Sequence, residues 1–132
     1  MPRVNELTSL AVQPSAKVLG HYRVKRAWIV EVDGRAFTVP ANFEFDGDSV
    51  PRMPFVYWLT KGRSGLKAPC LHDWLYFKQP VTRRQADKIY LIMMRHYGVR
   101  WVWRSLHYIG VRIGGWIGWR RHARRKAHGG KR

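Results

Sequence analysis

The sequence predicts an α+β domain, with an N-terminal β-hairpin packed on a small bundle of three to four helices and followed by a basic, disordered C-terminal tail. Three observations carry this. Apolar residues alternate on either side of Asp33-Gly34, helical segments with start and stop signals fill the second half, and acids vanish after Asp87. At 132 residues the chain fits one core. The expected division is a single compact domain over 1–119, with residues 1–16 as an arm, and a basic tail over 120–132.

Tyr22, Val24, Trp28, Val30 and Val32 fall in phase around an interruption at Lys25-Arg26-Ala27. Asp33-Gly34 is a hairpin turn signal before Ala36-Phe37-Thr38-Val39. Pro40 ends that unit, and 42–51 reads as a short extended piece entering a loop at Gly47. A short helix is expected from Pro51 or Pro54 to Leu59, since proline suits a first turn. After a loop over 61–65, a helix is expected from near Pro69 to Phe77 or Lys78, stopped by Pro80. Thr82 and Gln85 have capping-box spacing, so the next helix should start at Arg83 and end at Gly98. From Val99 to Trp119, Trp, Ile and Val mix with Arg100, Arg104 and Arg112, predicting one helix or two broken at Gly114-Gly115.

Twenty-five Lys and Arg oppose eight Asp and Glu, a formal charge of +17. Such a surplus calls for a polyanionic partner: nucleic acid, an anionic lipid surface or acidic wall polymers. Arg120, Arg121, Arg124, Arg125 and Lys126 are the densest cations and the candidate polyanion contacts, and nucleic acid would be met by counterion release. The tryptophans among arginines over 100–120 have the composition of an interfacial helix, although they also suit a small core. Arg104 and Arg112 interrupt any run long enough to span a bilayer. One cysteine, Cys70, excludes an intrachain disulfide and a multi-cysteine zinc site. The first twenty residues show no secretory signal, so synthesis in the cytoplasm is expected.

Against so few acids, His72-Asp73-Trp74-Leu75-Tyr76 followed by Asp87 stands out. His72, Asp73 and Tyr76 share a helix face, and a short connection makes the two helices antiparallel neighbours, bringing Asp87 near His72. A carboxylate on one imidazole nitrogen fixes the tautomer and leaves the other nitrogen as a general base. His72 and Asp87, with Ser49 on the preceding loop, are therefore the candidate catalytic residues. Asp73, with Asp46 and Asp48, is the candidate cation site, of the calcium or magnesium type rather than zinc. Each residue also has a plain structural use. His72 can form a static pair, Asp87 can oppose a helix dipole, and Asp46-Gly47-Asp48-Ser49 can be a capping turn.

The blocks Phe45-Asp46-Gly47-Asp48-Ser49-Val50-Pro51-Arg52, His72-Asp73-Trp74-Leu75-Tyr76 and Arg83-Arg84-Gln85-Ala86-Asp87, in this order, resemble the short phage and prophage proteins of domain-of-unknown-function family 1353, over roughly 20–112. The resemblance implies a tailed-phage origin and tail or tail-assembly neighbours, with no activity attached. About twenty residues are also similar to phospholipase A2 enzymes. That similarity implies His72 as the base, Asp73 as a calcium ligand and Asp87 as the group orienting His72. The chain departs from that pattern in lacking the cysteine framework and in having only Gly47 in the upstream loop. The expected role is a basic virion or tail-associated protein, made in the host cytoplasm and carried in the virion, binding other phage structural proteins or polyanions. The alternative is a small cation-dependent hydrolase acting on the host envelope.

Overall fold

A computed structural model describes residues 3–17, 21–46, 66–98 and 100–127, apart from the side chains of Asp46, Trp103 and Ala127. The domain is α+β. Its strands are β1 (Val4–Glu6), β2 (Val12–Pro14), β3 (His21–Val24), β4 (Trp28–Val32), β5 (Arg35–Val39) and β6 (Glu44–Asp46). The helices are α1 (Lys67–Lys78), α2 (Arg83–His96) and α3 (Trp101–Ala127). The helix expected between residues 51 and 59 lies outside the described residues.

The hairpin forms where expected. Val32 pairs with Arg35 across Asp33 and Gly34, both at positive φ (52° and 83°), the two-residue turn whose twist matches the flanking strands. It is one edge of a larger arrangement, because β1, β4 and β5 make one antiparallel sheet and β2, β3 and β6 a second. The stretch expected as a free arm thus supplies a strand to each sheet. The Lys25-Arg26-Ala27 interruption separates β3 from β4, and the two strands go to different sheets. Pro14 is tolerated because β2 is an edge strand.

Alternation buries Trp28, Val30 and Val32 from β4, which join Val24, Val39, Phe43 and Phe45. Leu71 and Leu75 of α1 and Met93 of α2 close the core from the helical side. Glu6 ties the layers by accepting from Trp28 Nε1 (3.1 Å) and Lys67 Nζ (2.8 Å). Burial works against its charge, but Lys67 and the other donors outweigh it and hold the Glu6 carboxyl below its ordinary value.

α1 carries Pro69 in its first turn and stops at Gln79, whose left-handed backbone donates to Leu75 O before Pro80. The capping box of α2 is complete: Thr82 Oγ1 accepts from Gln85 N, and Gln85 Oε1 accepts from Thr82 N. Gly98 follows the helix at φ 82°. Of the two alternatives for 99–119, α3 takes the single helix, passing Gly114-Gly115 without a break. It differs from expectation in continuing through Ala127, so the first part of the expected disordered tail is helical.

The two adjacent glycines of α3 have opposite surroundings. A Cβ on Gly114 meets nothing within 4 Å, whereas one on Gly115 collides with the Tyr76 hydroxyl. Tyr76 cannot swing aside freely, because that hydroxyl is held 2.6 Å from Asp87. Gly114→Ala is therefore expected to stabilise by about 0.5–1 kcal/mol through backbone entropy. Gly115→Ala should destabilise by about 1–3 kcal/mol through overpacking, despite the same gain in helix propensity. Thermal denaturation of the two variants checks the contrast, and equal shifts would contradict it.

Candidate functional site

The site is built from three helices. Positions 72 and 76 are one turn apart on α1 and project toward α2, where Ala86 and Asp87 are wholly buried. His72 Nε2 lies 2.9 Å from Asp87 Oδ1, and Tyr76 Oη donates to the same oxygen at 2.6 Å. The other oxygen, Oδ2, accepts from Arg112 Nη1 of α3 at 2.9 Å and from Arg83 Nη1, one turn back on α2, at 3.4 Å. Arg83 also donates to the backbone carbonyls of Val111 (3.0 Å) and Arg112 (3.3 Å).

Burial by itself pushes the Asp87 carboxyl up, but the donors from His72, Tyr76 and Arg112 together win and hold it below the ordinary carboxylate value. Burial and the adjoining carboxylate push the Tyr76 hydroxyl above its ordinary range, so it stays a donor. The ionised Asp87 carboxylate can only accept, so Nε2 is the donor of that bond, and in the neutral form of the ring this leaves the lone pair on Nδ1. The imidazole packs between the rings of Tyr76 and Tyr90, each centroid at 4.4 Å, and its side chain keeps 11% of its surface accessible. Such an arrangement sets one tautomer and one orientation, which is what a proton acceptor needs.

Beyond Tyr90 the row continues to His107 of α3, whose Nδ1 is 3.3 Å from the Tyr90 hydroxyl. Burial lowers the His107 pKa, favouring the neutral ring. Burial, with the nearby Asp73 charge, raises Tyr90. The same two causes push the Cys70 thiol up, leaving it an inert core group.

The two residues expected at the centre, His72 and Asp87, come together as the spacing required. Asp73 is half-buried one position on, and among the described residues no three of His, Cys, Asp and Glu gather as cation ligands. Asp46 ends β6 opposite His21, with its side chain outside the description, and Asp48 and Ser49 lie outside the described residues. Two clefts are formed by described residues, one of about 500 Å³ between α2 and α3 and one of about 430 Å³ beside Arg23 and Glu44. His72 lines neither.

Arg112 is a correction. Its place among tryptophans suggested an outward, anion-facing role, but its guanidinium turns inward to Asp87 because a buried carboxylate outcompetes solvent for a fork of donors. Arg83 went unassigned, although its spacing of four from Asp87 was a usable signal. Of the tail cations, Arg120, Arg121, Arg124 and Arg125 are exposed, while Lys126 donates to the Lys78 carbonyl at the end of α1. Trp119 completes the core, edge-on to Tyr76, with its carbonyl accepting from Gln79.

Asp87→Asn should cost about 3–5 kcal/mol in urea denaturation, since it strands two arginines and an imidazole around a neutral amide. Acid should act in two steps. Unfolded histidine takes up a proton near pH 6.5 while buried His107 resists, so the unfolded chain holds more protons and stability falls as pH drops below about 6.5. Asp87 repeats this below about pH 3.9, where unfolded aspartate protonates first. His107→Phe should remove the upper step and leave the lower one.

Among the described residues no helix is long and apolar enough to cross a membrane. No curated protein and no solved structure matches the chain. The family described as "Protein of unknown function (DUF1353)" matches residues 22–111, which takes in both strands of the hairpin, His72, Asp87 and the first part of α3, and the chain belongs to that family.

Proposed function

We propose that this chain is a small hydrolase of tailed-phage origin, acting on an ester or amide of the host envelope with His72 as general base. One observation carries the reading: His72 Nε2 sits 2.9 Å from a wholly buried carboxylate that Tyr76 and two arginines hold in place. Nδ1 is then the nitrogen that accepts a proton from water. As the water oxygen bonds to the substrate carbonyl carbon, its proton passes to Nδ1. When the tetrahedral intermediate collapses, the imidazolium returns that proton to the departing oxygen or nitrogen. Asp87 stabilises the transient imidazolium without itself becoming protonated. Asp46, Asp48 and Asp73 remain the candidate calcium or magnesium ligands, but Asp73 gathers no set of three donors among the described residues, so no step is routed through a cation.

A second reading is favoured by the two arginines on Asp87 Oδ2. In it the cluster is a structural clamp, and the chain is a basic virion or tail-associated part that binds other phage proteins or polyanions. Both readings take the chain to be made in the host cytoplasm and carried in the virion.

The readings separate on purified protein incubated with mixed phospholipid vesicles or peptidoglycan, with and without calcium or magnesium, and scored for released acids or amines by mass spectrometry. The hydrolase reading expects release that falls by about 10²- to 10⁴-fold in His72→Asn, with an unchanged circular dichroism spectrum. Absence of release by the wild-type chain, or equal release by the variant, overturns it in favour of the clamp.

A further inference from the structure

α3 keeps an apolar ridge turned away from the domain. Val102, Leu106, Ile109, Ile113, Trp116 and Ile117 are between 41% and 71% exposed. Their spacing of four and three residues lines them along one side of the helix. The ridge cannot roll inward, because the opposite side of α3 is already anchored. Arg112 is bonded to Asp87, the carbonyls of Val111 and Arg112 to Arg83, Gly115 lies against Tyr76, and Trp119 packs on the same ring. A contiguous apolar strip on so small a domain marks a binding surface.

Charge decides what covers it. Residues 88–132 contain twelve Lys and Arg and no Asp or Glu, within a chain of net charge +17. A second copy laid ridge to ridge brings cations against cations with no acid in this stretch to pair them. An anionic bilayer supplies both things the face lacks, an apolar layer for the ridge and phosphates for the arginines. The line of the ridge runs straight into Arg120, and Arg121 is exposed beside it. Exposed Trp101 and Trp116 stand at either end of the apolar strip, as rings at headgroup depth do, and the Arg120 guanidinium sits 5.3 Å over the Trp116 ring. The helix is not apolar enough to insert across the bilayer, so it lies in the plane of the surface.

We propose that α3 docks flat on an anionic lipid surface, with its ridge at the headgroup boundary and Arg120 and Arg121 on lipid phosphates. This holds independently of any chemistry at His72.

The test uses the full chain with vesicles of phosphatidylcholine alone and of phosphatidylcholine with phosphatidylglycerol, read by co-sedimentation and by the blue shift of tryptophan emission. The expected result is binding to the anionic vesicles about 100-fold stronger than to the neutral ones. Arg120→Gln with Arg121→Gln should weaken it by about 30-fold. Leu106→Gln with Ile113→Gln, both exposed changes that leave the core intact, should weaken it by at least about tenfold. Equal binding to both vesicles, or anionic binding untouched by the Leu106 and Ile113 changes, overturns the proposal. So does a dimer in sedimentation equilibrium that dissolves with those changes while vesicles stay unbound, which assigns the ridge to a second copy. Tight binding to duplex DNA with no binding to anionic vesicles assigns the cations to nucleic acid and equally overturns it.

Discussion

The carboxylate of Asp87 is an ionised group with no exposed surface, and the helical half of the molecule is organised by the need to satisfy it. Removing such a charge from water is costly, and the cost is offset only by several charge-assisted hydrogen bonds of good geometry. The donors come from all three helices: His72 and Tyr76 from α1, Arg83 from α2 itself, and Arg112 from α3. Each donor fixes the rotation of its helix about its own axis, which apolar packing alone specifies loosely. The rotation of α3 matters most. With Arg112 pointed inward, Ile109, Ile113 and Trp116 have no course but outward.

The two oxygens divide the work. Oδ1 holds the imidazole and the Tyr76 hydroxyl, and Oδ2 takes the guanidinium groups. The guanidinium groups hold Oδ2 while Oδ1 sets the direction of the His72 ring, so the imidazole is fixed in orientation. That suits a base, which must be aimed at its substrate, and it equally suits a clamp, which must hold three helices in register. The same geometry therefore serves architecture whether or not a substrate ever reaches Nδ1.

Where local chemistry decides the structure, the sequence was legible. Asp33-Gly34 needs two positive φ angles and obtains them, Thr82 and Gln85 satisfy each other's backbone donors, and Gly98 closes α2 in the left-handed region. The approach of His72 to Asp87 followed from helix periodicity and a short connection. What escaped depends on partners distant in sequence. Three residues such as Val4–Glu6 or Val12–Pro14 carry no period of their own and become strands because β4 and β3 offer edges. Between the one helix and the two that the sequence allowed at Gly114-Gly115, a distant contact decides, since the missing side chain at 115 is what admits the Tyr76 ring. Arg112 looked like one solvated cation among many because nothing local distinguishes it. Only the position of α3 over a buried carboxylate does.

The scarcity of acids gives these separate features a common cause. Eight carboxylates serve 132 residues, and Asp87 is the last of them along the chain. Once it has taken Arg83 and Arg112, every later cation lies in a stretch with no acid of its own. One of them, Lys126, settles on a backbone carbonyl of α1, which anchors the end of α3 without neutralising it. Self-repulsion among the rest favours either an extended tail or a helix whose charge is met from outside. The helix is what forms over 120–127, directly continuing the apolar ridge. A cationic helical end joined to an uncovered apolar strip is poor design for an isolated monomer in water. It suits the anionic lipid surface proposed for it, and the buried Asp87, by drawing Arg112 inward, is what keeps that strip turned outward.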